Sequence, residues 1–112
     1  MVLPQEIEDE LVMARDAARD GNLGKSRVCA RRAVRKAFGG SGIARTYGES
    51  LSSIQCLKII SESAVMPDDV RKAAIRLLTS VASVGGAISA APVDDAILVI
   101  EALLGRKRED SL

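Results

Sequence analysis

The sequence predicts an all-α protein, an up-and-down bundle of four to five helices forming a single domain over residues 1–112. Three observations predict it. Apolar residues recur at helical spacing in successive segments, and no segment alternates apolar and polar for long enough to make a strand. The links between these segments are short and rich in glycine or proline, which returns each helix against the one before. Apolar residues make up 47% of the chain, but aromatics only 2%, namely Phe38 and Tyr47. The core must therefore be built from Leu, Ile, Val and Ala, and many alanines suit helices that approach closely. A chain of 112 residues buries roughly two-thirds of its unfolded surface, enough for one core without staples.

The first helix is expected over about Pro4 to Asp20. Pro4 suits a first turn, and Glu6, Glu8, Asp9 and Glu10 favour the positive end of the helix dipole. Ile7, Leu11, Ala14 and Ala18 mark its apolar stripe, and Gly21 follows where a left-handed cap belongs. The second helix is expected over about Lys25 to Phe38, with Cys29, Ala30, Ala33, Val34, Ala37 and Phe38 on its apolar side. Gly39, Gly40 and Gly42 stop it, and the stretch Gly39–Gly48 reads as the most flexible part of the interior. A third helix is expected from Ser50, its N-cap, to about Ser61, with Leu51, Ile54, Leu57 and Ile60 inward. Pro67, Asp68 and Asp69 start a fourth, striped by Val70, Ala73, Ala74, Leu77, Leu78 and Val81 and ended by Gly85 and Gly86. Pro92, Asp94 and Asp95 open a fifth, with Val93, Ala96, Ile97, Ile100, Leu103 and Leu104 at helical spacing and Gly105 as its cap. The tail 106–112 is charged and expected to fray.

Charge and residue type exclude several kinds of chemistry. Sixteen basic residues against 15 acidic ones give a net charge of +1, so no overall pull towards nucleic acid or anionic lipid exists. The signs are nevertheless segregated. Glu6, Glu8, Asp9 and Glu10 stand together near the start, while Lys25, Arg27, Arg31, Arg32, Arg35 and Lys36 follow with no acid among them. The chain contains no His, which removes the Ser–His nucleophile and the ExxH metal motif of helical bundles. Cys29 and Cys56 are not spaced as a CxxC pair and read as small buried hydrophobes in a reducing cytosol. No signal peptide is expected at the start, and the longest uncharged run, Leu77–Val93, is broken by Gly85, Gly86 and Pro92. A cytoplasmic protein that does not cross a membrane is the expectation.

The stretch from Lys25 to Phe38 carries the most information about function. Residues four apart stack on one helix face, so Arg27, Arg31 and Arg35 form a row with Arg32 and Lys36 beside it. Guanidinium groups in such a row can hold phosphates in a bidentate fork. The competing reading is that the row faces water or pairs with Glu10, Asp16 and Asp20 of the first helix. If it faces water, Arg31→Glu is expected to leave the fold intact. Two glycine-containing stretches also suggest phosphate loops, Gly39-Gly40-Ser41-Gly42 and Gly24-Lys25-Ser26. Neither follows a strand, so nucleotide binding by either is not expected. Asp68 with Asp69, and Asp94 with Asp95, read as first-turn helix caps rather than metal ligands.

The segments ARDAARDGNLGKSRVCARRAVRKAF, YGESL, PDDVRKAAIRLL and PVDDAILVIEALL together resemble the HEPN superfamily. Its smaller members show an alanine-rich helix, a glycine turn and a second helix with spaced alanines; here these are Ala14, Ala18, Gly21, Ala30, Ala33 and Ala37. The resemblance implies a four- or five-helix bundle, often a homodimer. Catalytic members are metal-independent ribonucleases with an Rx4–6H motif, which a chain without His cannot contain; six residues beyond Arg76 stands Ala82. The resemblance thus implies a non-catalytic module, in some relatives paired with a nucleotidyltransferase-like protein, and it transfers no catalytic residue. The expected function is self-association or binding of a protein partner, with no cofactor and no metal. The alternative is RNA or nucleotide binding along Arg27, Arg31, Arg32, Arg35 and Lys36.

Overall fold

A computed structural model describes residues 3–41, 51–79 and 91–105. Among them are five α-helices and no strand: α1 Gln5–Arg19, α2 Leu23–Gly39, α3 Ser53–Glu62, α4 Asp68–Leu78 and α5 Pro92–Leu103. The all-α bundle expected from the sequence is what forms.

Helix α2 is the hub. Its Ala30, Ala33, Val34, Ala37 and Phe38 lie in the core with Ile7 and Leu11 of α1, Cys56, Leu57 and Ile60 of α3, Val70, Ala73, Ala74 and Leu77 of α4, and Ala96, Val99, Ile100 and Leu103 of α5. The alanines on the inner face of α2 let its neighbours approach closely. Phe38, the single large ring in this core, fills the space that remains near the helix end. α1 lies beside α2 and antiparallel to it. Ser26 Oγ donates to the Ala14 carbonyl at 2.8 Å, and Lys36 Nζ meets Glu10 Oε2 at 3.0 Å, so later residues of α2 sit beside earlier residues of α1.

Local chemistry explains the ends. At the close of α1, Gly21 N–H donates to the Ala18 carbonyl and Asn22 N–H to the Ala17 carbonyl, the paired bonds of a Schellman cap. Gly21 takes φ of 81°, a conformation that costs any residue with a Cβ. Asn22 then serves as N-cap of α2, its side chain accepting from Lys25 N–H at 3.0 Å. This starts α2 at Leu23, two residues before the sequence suggested. Gly24, Lys25 and Ser26 therefore stand in the first turn of α2, preceded by the end of another helix rather than by the strand a phosphate loop requires, and the Ser26 hydroxyl is spent on the Ala14 carbonyl.

Several expectations are corrected. Ser50 lies outside the described residues; α3 is opened by Ser52, whose hydroxyl accepts from Gln55 N–H at 3.1 Å while Gln55 Oε1 accepts from Ser52 N–H at 2.8 Å, a capping box. α3 packs on the core through Cys56, Leu57 and Ile60, which leaves Ile54 facing outward at 47% exposure. In α1 Ala17 is buried, while Ala18 is only half-buried. α4 ends at Leu78, with Thr79 extended at its C-cap, well short of the expected Val81 and the Gly85–Gly86 stop, which lie outside the described residues. The tail 106–112 and most of the Gly39–Gly48 stretch also lie outside them, although Gly39 closes α2 and Gly40 is its C-cap. Gly105, at φ 68°, follows α5 as expected.

Candidate functional site

The basic helix was expected to carry one row of cations, and the fold divides it instead. Arg31 points along the side of α2 that faces α4. Its Nε donates to the Leu77 carbonyl at 2.6 Å, and Nη2 reaches the Thr79 carbonyl at 3.5 Å. These carbonyls belong to the end of α4, which lacks an internal partner for its last acceptors. The guanidinium supplies donors there and sits at the negative end of the α4 dipole. Burial, and then the neighbouring Arg27, pull the Arg31 guanidinium below its ordinary value, but an arginine remains charged at any ordinary pH. Arg27 is half-buried and not free. Lys36 turns the other way and pairs with Glu10, across the α1–α2 seam. Arg32 and Arg35 are exposed, as is Lys25, and none of the three forms an ion pair among the described residues.

The acids proposed as partners are likewise divided. Glu10 is taken by Lys36, leaving its Oε1 buried without a hydrogen bond among the described residues. Asp16 pairs within its own helix, with Arg19 at 3.3 Å. Asp20 lines a shallow groove with Met13, Asp16, Ala17, Asn22 and Lys25, at the turn between α1 and α2.

Capping does not account for Asp95. It is buried, and its two carboxylate oxygens accept from Arg76 Nη2 at 2.8 Å and Nε at 3.1 Å. This bidentate fork ties α4 to the first turn of α5, where no side chain caps the helix. The hydrogen bond to Asp95 raises the Arg76 pKa further. Asp68 fits its first-turn role better, holding Arg71 at 3.5 Å and Lys72 at 3.0 Å, and Asp69 Oδ1 accepts from Val70 N–H at 2.9 Å. Among the described residues no group of three His, Cys, Asp or Glu side chains converges as metal ligands do. No helix among them is long and apolar enough to cross a membrane.

Both thiols are buried and unpaired. Burial pushes the Cys56 thiol up, against the pull of Arg35, which makes it a poor nucleophile.

Arg31's tie to α4 is not legible in the sequence, where Gly85 and Gly86 mark the expected end of that helix; α4 ends instead at Leu78 with an extended Thr79, and its last carbonyls need a donor from elsewhere. The chain was compared with models of protein families, with curated proteins and with solved structures, and it matches none of them.

Proposed function

We propose that this chain is a non-catalytic helical module, of the HEPN-like kind its alanine-spaced helices resemble, and that it works by self-association or by binding a protein partner. The observation that carries this reading is apolar surface left over after the core is filled. Val12 and Met13 on α1, Val28 on α2, Ile54 on α3 and Ile75 on α4 are each more than 40% exposed, and of these Val12 and Met13 adjoin in sequence on one helix, the kind of apolar surface that a protein contact covers. A chain without imidazole lacks the commonest general base, which fits a binding role. A nucleotidyltransferase-like protein is the partner class the resemblance implies, and two buried free thiols fit a cytoplasmic compartment. Light scattering on a size-exclusion column, with a pull-down beside it, tests the reading. A dimer or a captured stoichiometric partner is expected; a strict monomer that captures nothing defeats it.

A second reading, RNA or nucleotide binding, draws on the exposed Lys25, Arg32 and Arg35. It is weakened by the engagement of Arg31 and Lys36 within the fold. Filter binding at increasing salt separates the two. Several phosphate contacts produce a steep fall in affinity with salt, and a flat response removes this reading.

A further inference from the structure

The outer face of the α1–α2 hairpin carries opposite charges on its two helices. On α2, Lys25, Val28, Arg32 and Arg35 recur at alternating three- and four-residue steps, and all are exposed. They therefore form one stripe along the helix, basic with an apolar residue in it. On α1, Glu6, Asp9, Val12, Met13, Asp16, Arg19 and Asp20 are exposed and lie on the side away from Ile7, Leu11 and Ala14; Arg19 pairs with Asp16, and four acids against this one base leave the stripe acidic on balance. The groove lined jointly by Met13, Asp16, Asp20 and Lys25 places the two stripes side by side at the turn between the helices, and helical spacing carries the α2 stripe on from Lys25 through Val28 and Arg32 to Arg35, which lies towards α3.

We propose that this face docks a second copy of the chain, related by a two-fold axis running parallel to the hairpin, so that α1 of each copy lies over α2 of the other. The proposal rests on the self-association reading above and adds the surface and the geometry. Charge selects the axis. A two-fold perpendicular to the helices and lying in the interface stacks α1 on α1 and α2 on α2, acid on acid and base on base. The parallel axis stacks acid on base at both contacts. It also preserves each residue's height along the hairpin, and the heights are known. Ser26 stands beside Ala14 and Lys36 beside Glu10, so Asp9 of one copy comes nearest Arg35 of the other. Met13 comes between Val28 and Arg32, and Asp16 and Asp20 lie towards Lys25. The apolar residues then meet in the middle with charges around them, the usual arrangement of an interface.

The face is small. Each helix is about 10 Å wide, and α2, with 17 residues, is about 26 Å long. A contact of that extent belongs with weak, transient associations, so a micromolar, salt-sensitive dimer is expected. The acids that share the face also repel a phosphate backbone, which favours a second copy over RNA as its occupant.

Sedimentation equilibrium on the full chain and two variants tests this. Arg32→Glu/Arg35→Glu makes both stripes acidic, and Asp9→Lys/Asp16→Lys makes both basic. All four positions are exposed, and circular dichroism checks that each variant folds. The unaltered chain is expected to dimerise, with affinity falling about tenfold or more between about 50 mM and about 500 mM salt. Each variant alone should be monomeric, and an equimolar mixture of the two should form a heterodimer. Should a variant fail to fold, Arg32→Gln/Arg35→Gln, expected to weaken the dimer without new repulsion, replaces it. If the unaltered chain dimerises but neither variant disturbs the dimer, this surface is wrong while self-association stands. A chain that stays monomeric even at low salt overturns both, and salt-steep RNA binding by that monomer would assign the basic stripe to nucleic acid instead.

Discussion

Arg31 illustrates how a single side chain changes meaning once its neighbours are known. In the sequence it is the middle of a cationic row; in the fold it closes the end of another helix. Removing it unpairs the Leu77 carbonyl, and a carboxylate in its place faces the negative end of α4. Arg31→Glu is therefore expected to cost about 2–3 kcal/mol, a fall of roughly 8–12 °C in Tm for a domain of this size. Arg32→Glu, one residue on and exposed, should change stability by less than about 0.5 kcal/mol. Comparable melting points for the two variants would contradict the capping role.

Cys56 makes a second prediction at this scale. Its thiol pKa is raised above the ordinary 9.0, chiefly by burial. The folded state then holds its proton more tightly than the unfolded state does. The stability this contributes is complete below pH 9.0 and is lost as pH rises through the higher folded value. Thermal melts in rising alkali should show stability declining beyond that point, with a shallower decline in Cys56→Ala. Equal slopes would mean that the thiol is not the group responsible. The shifts of Arg31 and Arg76 add no slope in the neutral range, because both guanidinium groups stay charged in either state.

Among the helices, the sharpest local device is the turn that joins α1 to α2. Gly21 adopts φ of 81°, and a Cβ added there would touch nothing within 4 Å. Any cost of Gly21→Ala is thus a backbone cost, about 1–2 kcal/mol. Gly24→Ala, in the first turn of a regular helix with only Asn22 Oδ1 nearby at 3.8 Å, should be neutral or slightly stabilising. Chemical denaturation of both variants checks the contrast. This turn was legible in the sequence because a glycine after an alanine-rich stripe has few other uses. The α3 start was not, because Ser50, Ser52 and Ser53 all offer a hydroxyl. Only the reciprocal bonds with Gln55 choose Ser52, and packing against the core decides that Cys56, not Ile54, faces inward.

Across the whole molecule, the α4–α5 pair depends on a charge that looked like a cap. The Arg76–Asp95 fork joins a partly exposed guanidinium to a carboxylate with only 10% of its side chain exposed. Arg76→Ala removes both of these charged hydrogen bonds from a buried carboxylate and should cost about 1–3 kcal/mol. Arg76→Ala with Asp95→Ala should cost less than the two single changes added together, since each single change already removes the fork that the two residues share. Strict additivity in that cycle would show that the fork contributes nothing.

The helices, their order and most of their inward faces could be read from residue order alone, because an apolar stripe at helical spacing has one way to leave water. The inner side of α2, from Cys29 to Phe38, was foreseen residue by residue. So was the separation of acidic and basic helices on which the hairpin's outer face depends. What only the tertiary structure decided is the assignment of charges to partners: Arg31 to the end of α4, Lys36 to Glu10, Arg76 to Asp95. A charged side chain is long, and it takes the nearest acceptor that folding brings to it, wherever that acceptor lies along the chain.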